Sequence, residues 1–296
     1  MKAKKGNRSC CLKIEYEMVC GFDGDKTKLK QVVVPPSVDT IAPYVFEGLG
    51  GLTSLTLPKS LTHVGHSAFH SCEGLTSVTF PSTLNFIGQS AFGGCIGLTS
   101  LELPESLKML GPYAFDGCTG LTSVALPDTL TSIERNMFDG CSNLVSVKLP
   151  STLTSIGDCA FEFCCRLESI TLPDSLTALG SYAFYECTAL QSIVLPYVLT
   201  TIKSKAFSGC KNLSSVVYQK RTSATYIVWG VSNSRNRDNW QITTLKQLRN
   251  VLRLITAFAF EARRDVAKID PYGTNRVFSG CTSLNLFPSE DSSDES

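Results

Sequence analysis

Apolar residues recur along most of the chain with a period of 23 residues. One column of the repeat consists of leucines, which are Leu29, Leu52, Leu75, Leu98, Leu121, Leu144, Leu167, Leu190 and Leu213. Prolines from Pro35 to Pro196 and phenylalanines from Phe46 to Phe207 follow in the first eight units and keep the same period. Self-similarity at a fixed period of this size is the sequence signature of a solenoid. The pattern therefore predicts one stacked structure built from repeated units.

Each unit predicts one complete coil. In the unit that begins at Leu52, Leu55 and Leu57 alternate with polar residues, so both side chains lie on one face of a strand. Pro58 ends that strand because proline has no backbone donor for a sheet. The second half of a unit, as in 153–161, adds two apolar positions, a glycine turn and a short Ala-Phe segment. Stacked coils place parallel strands about 4.8 Å apart around a continuous core.

The motif Leu-x-x-Leu-x-Leu-Pro followed by Leu-x-x-Ile-Gly-x-x-Ala-Phe-x-x-Cys resembles the BspA-type (Treponema pallidum-type) leucine-rich repeats, over Leu29 to about Val217. The fold class expected is a leucine-rich-repeat solenoid, with a parallel β-strand stack, short helical or 3-10 turns on the opposite side and a C-terminal helical insertion. The resemblance implies protein binding, and similar proteins include bacterial surface adhesins. Glu134 and Lys203 replace the repeat glycine, so we expect two turns with altered backbone geometry.

A cysteine column lies three residues after the phenylalanines and consists of Cys72, Cys95, Cys118, Cys141, Cys164, Cys187 and Cys210. Buried cysteine packs as a small hydrophobic side chain. Leu49 occupies the equivalent place in the first unit, which a metal or disulfide role would not allow. We therefore expect a reduced, metal-free ladder in the core.

The chain divides into five segments. Residues 1–28 form a basic segment with a capping strand, in which Leu12, Ile14 and Tyr16 alternate with charged residues. Residues 29–218 form the solenoid, 219–270 a basic and partly helical insertion, 271–288 a closing partial repeat, and 289–296 a disordered acidic tail. The closing repeat is inferred because the spacing of Phe207 and Cys210 recurs at Phe278 and Cys281, displaced by one repeat plus a 48-residue insertion.

The insertion carries two features of its own. Leu245, Leu248 and Leu252 have helical spacing, which favours a helix packed on the last coil. Residues 219–264 contain nine Lys or Arg against Asp238 and Glu261, an excess of seven positive charges, with Trp229 and Trp240 nearby. Basic residues among aromatics can bind a nucleic acid or another acidic surface. A solvated helix face and packed tryptophans explain the same residues, so nucleic acid is the less favoured partner.

The composition excludes a global charge-driven function. The 296 residues are 43% hydrophobic and 18% charged, and the net charge of +1 provides no overall field of either sign. The sequence has no apolar run long enough for a membrane-spanning helix and no hydrophobic signal core near Met1. We therefore expect an intracellular, cytoplasmic protein.

The sequence contains no recognisable catalytic, cofactor or metal site. His63, His66 and His70 lie in one repeat, but no carboxylate or cysteine pattern completes a zinc site. Phosphate-binding, nucleophile-elbow and dinucleotide motifs are not present in the sequence. Asp116 and Asp139 lie one coil apart, which happens in any solenoid. We predict that the chain is not an enzyme and has no cofactor.

The predicted ligand face is the exposed side of the strands, because alternate side chains there point away from the core. The residues expected to contact a partner are Thr53, Ser54, Thr56, Thr76, Ser77, Thr79, Thr99, Ser100, Glu102, Thr122, Ser123, Ala125, Lys148 and Glu168. Most carry hydroxyl groups, so the face is nearly neutral. The prediction is a scaffold for an unidentified protein; a glycan or a surface adhesin role is the alternative, beside nucleic-acid binding through the insertion.

Overall fold

A computed structural model describes residues 11–23, 28–218 and 227–230. The predicted insertion helix, the closing repeat and the acidic tail lie outside the described residues. Eight coils follow one another, coil 1 beginning at Leu29 and coil 8 at Leu190, and the first strand of a ninth coil follows. The predicted parallel β-strand solenoid is confirmed.

The first strand column contains the strand that opens each coil. Its members are β3 (Gln31–Val33), β5 (Ser54–Thr56), β8 (Ser100–Glu102), β10 (Ser123–Ala125), β12 (Ser146–Lys148), β14 (Ser169–Thr171), β16 (Ser192–Leu195) and β18 (Ser215–Tyr218). Paired strands are parallel and shifted by one repeat, as when Ser123 faces Ser146. The equivalent segment of coil 3, residues 76–80, is extended chain without strand pairing. Prolines such as Pro58 follow the strands, in agreement with the pattern.

A second strand column stands half a coil later. Its members are β4 (Thr40–Ile41), β6 (His63–Val64), β7 (Phe86–Ile87), β9 (Met109–Leu110), β11 (Ser132–Ile133), β13 (Ser155–Ile156), β15 (Ala178–Leu179) and β17 (Thr201–Ile202). The repeat pattern did not predict these two-residue strands, because two residues are too few to show an alternation. The expected helical or 3-10 turns are not confirmed, since the described residues contain strands and turns but no α-helix.

The turn segment between the second column and the next coil has a regular backbone pattern. Some backbone amides donate to a carbonyl of the following coil, as Phe69 N does to Ala91 O at 2.8 Å. Others donate to a carbonyl three residues earlier in the same coil, as Cys72 N does to Phe69 O at 3.2 Å. The residues of a first left-handed column have φ between 48° and 62°, and they are Tyr44, Ser67, Ser90, Tyr113, Asn136, Cys159, Tyr182 and Lys205. Four residues later a second left-handed column follows, in which five of the eight positions are glycines.

The core contains a continuous stack of eight phenylalanine rings from Phe46 to Phe207. Successive ring centroids lie 5.1 to 5.9 Å apart and the ring planes differ by at most 15°. The cysteine column lies beside this stack, and its seven members are fully buried with free thiols. The thiols also donate hydrogen bonds to phenylalanine carbonyls of the preceding coil, from Cys72 to Phe46 at 3.2 Å through to Cys210 to Phe184 at 3.1 Å. The packing interpretation is confirmed, with a donor role added.

The repeat glycine stands where the backbones of two coils approach closely. A Cβ at Gly111 would lie 2.6 Å from Gln89 N, and a Cβ at Gly157 would lie 2.8 Å from Arg135 N. Glu134 brings a Cβ to this position directly after β11, and β11 is not paired with β9 of the preceding coil. Lys203 N, in contrast, donates to Leu179 O at 3.0 Å, and β15 pairs with β17. The expected change in geometry therefore occurs at Glu134 and not at Lys203.

Additional strands extend both ends of the sheets. At the N-terminal end β1 (Cys11–Glu15) and β2 (Met18–Asp23) form an antiparallel hairpin, and β2 pairs in parallel with β4. At the other end β19 (Ile227–Gly230) pairs antiparallel with β18. The hairpin therefore extends the second column, whereas β19 extends the first. Among the described residues no helix has the length and apolarity needed to cross a membrane.

Candidate functional site

The exposed side of the first strand column, here called the strand face, is organised in three rows that run along the solenoid. In β10 Ser123 and Ala125 are exposed while Val124 between them is buried, and Thr122 before the strand is exposed as well. The 23-residue register repeats this arrangement in each coil. The strand face is thus a set of side-chain rows held on a rigid backbone.

All fourteen residues predicted to contact a partner are exposed and lie in these rows. The threonine row begins with Thr53, Thr76, Thr99 and Thr122 and continues with Val145, Glu168, Gln191 and Ser214. The serine row is Ser54, Ser77, Ser100, Ser123, Ser146, Ser169, Ser192 and Ser215. The variable row is Thr56, Thr79, Glu102, Ala125, Lys148, Thr171, Val194 and Val217. The last four serines are not among the predicted residues, although the repeat period alone identifies them.

Three of the four threonine hydroxyls in the threonine row donate hydrogen bonds within the protein. Thr53 Oγ1 donates to Lys30 O at 3.1 Å, and Thr122 Oγ1 donates to Thr99 O at 3.1 Å. Thr99 Oγ1 makes a longer bond of the same kind, 3.4 Å to Thr76 O. Because each of these hydroxyls already donates its single proton, it offers a ligand acceptor lone pairs alone. The sequence predicted the hydroxyls at these three positions but not their hydrogen bonds to the neighbouring coil.

The serine row is chemically different from the threonine row. Within the part of the chain that the structure describes, its side chains make no hydrogen bond. Ser123 faces Ser100 on one side and Ser146 on the other in adjacent parallel strands. Neighbouring strands are about 4.8 Å apart. The row therefore presents regularly spaced hydroxyls that can both donate and accept.

The residues of the variable row differ in charge and polarity from coil to coil. Glu102 and Lys148 lie on the two sides of Ala125, so the middle carries both signs of charge. Towards the ends of the column Val33 is 56% exposed and Val194 is 40% exposed. The column therefore carries charged side chains at its centre and exposed valines at Val33 and Val194.

The three histidines are engaged separately. His66 Nδ1 accepts from Gln89 N at 2.9 Å, His63 Nδ1 lies 2.8 Å from Thr62 Oγ1, and His70 Nδ1 lies 3.7 Å from Glu47 Oε1. In residues 11–23, 28–218 and 227–230, no group of three His, Cys, Asp or Glu side chains is placed to hold a metal ion. The three histidines, which lie close together in the sequence, therefore each contact a different residue.

Carboxylates of three successive coils follow the phenylalanine stack on the turn side. Burial, with Asp139 nearby, raises the pKa of Asp116 to about 6, while His70 acts in the opposite direction. Burial also raises the pKa of Asp139, although the Asn136 amide donates to its carboxylate at 2.9 Å. The pKa of Glu162 is raised by burial too. These carboxylates lie apart from the strand face. Their raised pKa values make the stability of the fold depend on pH.

The comparison with protein families decides the classification. The model of the BspA type leucine rich repeat region matches in six copies over residues 22–124 and 108–227. The chain belongs to this family. Members are leucine-rich repeat proteins, so the BspA-type classification agrees with the coil register and the strand columns described above.

Solved structures similar to this BspA-type chain come from bacteria. The T. pallidum leucine-rich repeat protein TpLRR is 37% identical over 48% of this chain and 66% of that chain, with a TM-score of 0.46. A leucine-rich repeat protein of Eubacterium ventriosum is 29% identical over 53% of this chain and 42% of that chain, with a TM-score of 0.49. The chain thus spans less than two thirds of either protein. No curated protein matches the sequence.

Proposed function

We propose that this BspA-type chain is a non-enzymatic protein-binding module that holds its partner on the strand face. The observation that carries the proposal is the serine row, because its exposed hydroxyls have no hydrogen-bond partner within the described residues. A protein partner with backbone amides and carbonyls can use each hydroxyl as donor or acceptor. The family to which the chain belongs supports a binding role in general.

The rigidity of the strand face favours binding. At its centre the side chains project from β8, β10 and β12, which are paired in register, and the buried residues between them, such as Val124, lie in the core. Short serine side chains lose little conformational freedom when they are bound, so the cost of ordering the surface is small. Glu102 and Lys148 supply charges of both signs that can set the orientation of a partner.

Charge substitutions in the serine row test the proposal. We expect that Ser100→Glu, Ser123→Glu and Ser146→Glu, combined in one chain, abolish partner capture in affinity purification followed by mass spectrometry. The matched control is Ser82→Glu, an exposed serine in a turn outside the three rows. Each surface change should alter the free energy of unfolding by no more than about 0.5 kcal/mol.

The result that would contradict the proposal is specific. If the triple variant captures the same proteins as the wild type, the strand face is not the binding surface. If capture is instead lost when residues 219–270 are removed, the basic insertion is the binding element. RNA binding that weakens steeply with salt would then support the nucleic-acid alternative.

A further inference from the structure

The N-terminal hairpin leaves one strand at the edge of a sheet. The sheet runs from β1 through β2, β4, β6 and β7 to β9, so among the described residues no strand pairs with the outer side of β1. The hairpin is held on coil 1, because β2 pairs with β4 and Asp39 N donates to Glu17 O at 2.9 Å. An edge strand held in this way is a template for pairing with another chain.

The turn of the hairpin determines which backbone groups of β1 face outward. Tyr16 and Glu17 have φ angles of 50° and 63°, which are typical of a two-residue hairpin turn. The residues on its two sides, Glu15 and Met18, form the first cross-strand pair. The pair that closes such a turn is hydrogen-bonded, so the backbone N–H and C=O of Glu15 point towards β2.

The direction of the backbone groups alternates along β1 from Glu15 onward. The carbonyl of Lys13 also points towards β2, since it accepts the Cys20 thiol at 3.3 Å. Cys20 is the extra residue of a bulge in β2, so β1 itself stays regular. Leu12 and Ile14 therefore direct their N–H and C=O groups away from β2. The outer edge of β1 thus presents two residues that can pair with a further strand.

The side chains of β1 and its turn form one apolar face and one charged face. Leu12 is half-buried against the core, Ile14 is 39% exposed, and Tyr16 at the turn is 98% exposed. Lys13 and Glu15 lie on the opposite face and carry opposite charges. Charges of one sign would repel a second copy of the strand, whereas opposite charges two residues apart can pair with it.

Two copies of β1 fit each other in one antiparallel register. A two-fold axis at Ile14 makes this residue a hydrogen-bonded pair with its own copy. Lys13 then lies opposite Glu15 of the second copy in a non-hydrogen-bonded pair, in which side chains approach most closely, and the axis creates this pair twice. An axis at Lys13 would instead place two like charges opposite each other. The charges therefore favour the axis at Ile14.

We propose that this chain forms a two-fold symmetric dimer in which β1 pairs with β1 of a second copy. The pairing continues the second strand column across the dimer, so the two solenoids lie end to end. The two Ile14 side chains meet at the axis, and Tyr16 comes next to Leu12 of the second copy. The strand face belongs to the first column, so the dimer presents two open strand faces. This inference goes beyond the proposed function and does not depend on it.

Sedimentation velocity of the full-length chain at a series of protein concentrations tests the dimer. A pair of five-residue strands is smaller than a standard protein interface, so we expect a reversible dimer whose fraction rises with concentration. Lys13→Glu places like charges opposite each other twice, and we expect the dissociation constant to rise at least about tenfold. Lys59→Glu makes the same charge change at an exposed site of coil 2 and, as the matched control, should leave it unchanged.

A charge-swapped variant tests the register. Lys13→Glu combined with Glu15→Lys restores opposite charges at both pairs, so we expect a dissociation constant within about threefold of the wild type. A hairpin that Lys13→Glu had merely damaged would not recover in this variant. A wild type that stays monomeric at all concentrations, or a double variant that dimerises no better than Lys13→Glu, would overturn the proposal.

Hydrogen exchange locates the contact in the wild-type chain. From low to high protein concentration we expect the amides of Leu12 and Ile14 to exchange more slowly, because they gain acceptors in the second copy. The peptide 64–72 in coil 2 should not change. Slower exchange at another surface, with 11–16 unchanged, would show that the copies associate elsewhere and would contradict the pairing of β1.

Discussion

Each cysteine of the cysteine column both fills space in the core and donates a hydrogen bond to the preceding coil. The position is fully buried, and it also faces a phenylalanine carbonyl 26 residues earlier in the chain. A thiol is small and apolar enough for the core and still provides a weak donor. Burial raises the pKa of Cys72 to about 12, which keeps the proton on sulfur. The position was predicted from the sequence, but the hydrogen bond was not, because a repeat pattern shows volume and polarity and not direction.

The phenylalanine stack gives the first prediction at this scale. Phe138 lies between Phe115 at 5.9 Å and Phe161 at 5.5 Å, so Phe138→Ala removes both ring contacts and leaves a cavity. We expect a loss of about 3–5 kcal/mol in the free energy of unfolding, measured by chemical denaturation. Phe163→Ala, at a site 44% exposed, is the control and should cost less than about 1 kcal/mol. Equal losses in the two variants would show that the stack is not the core.

The half-buried Asp116 gives a prediction about pH. Its pKa is raised to about 6, so the folded chain binds this proton more tightly than the unfolded chain. Asp116 therefore destabilises the fold increasingly as the pH rises towards 6, and the penalty persists above that value. We expect Asp116→Asn to be more stable than the wild type at about pH 7.5, with a smaller difference at about pH 4. Denaturation midpoints at both pH values measure this, and a difference independent of pH would contradict it.

At the scale of elements, the close approach of coils explains why the second strand column has glycine after its strands. The glycine was visible in the repeat motif, but its contact with the neighbouring backbone could not be read from one coil. Glu134 and Lys203 look alike in the motif, yet only the pairing around Glu134 is interrupted. Whether the pairing is kept depends on how far the backbone of the neighbouring coil can move away from the added Cβ. That distance is set by the packing of the coils and not by the motif of one coil.

Substitution of the repeat glycine tests this explanation. In Gly157→Ala the new Cβ would lie 2.8 Å from Arg135 N, so the backbone of one coil must move. We expect a loss of about 1–3 kcal/mol in the free energy of unfolding. Gly50→Ala is the matched control, because its Cβ meets no atom within 4 Å and its φ is not left-handed. A cost at Gly157 no greater than at Gly50 would mean that the neighbouring coil adapts freely.

Across the whole molecule, the interruptions of the two strand columns are staggered. The first column is interrupted at coil 3, where the second column stays paired through β6, β7 and β9. It is interrupted again between β12 and β14, where β13 and β15 of the second column stay paired. The second column is interrupted between β9 and β11, where β8 and β10 remain paired. Each junction between described coils is therefore held by at least one ladder. The repeat predicted the order of the coils, but not these interruptions, because the same motif occurs on both sides of each.

The staggering leads to a prediction about cooperativity. We expect coils 1 to 8 to unfold in urea as one unit, since no junction between the described coils lacks strand pairing, and neighbouring coils in a solenoid stabilise each other through their interfaces. Hydrogen exchange of peptides from coil 2 and coil 7, followed through the denaturation, should give the same midpoint. Two separate midpoints that divide between β9 and β11 would show that the interruption at Glu134 separates two folding units.

The left-handed columns have a consequence for the tolerance of the chain to sequence change. In the column from Tyr44 to Lys205 none of the eight residues is glycine, β-branched or proline, although threonine and valine are common elsewhere in the repeat. A β-branched residue is strongly disfavoured at φ near +55°, and the ring of proline excludes that angle. The left-handed backbone at these mostly half-buried turn positions therefore limits which residues can replace the present ones. We expect a library at Asn136 to recover glycine, serine, lysine and tyrosine in folded protein and to lose threonine, valine, isoleucine and proline.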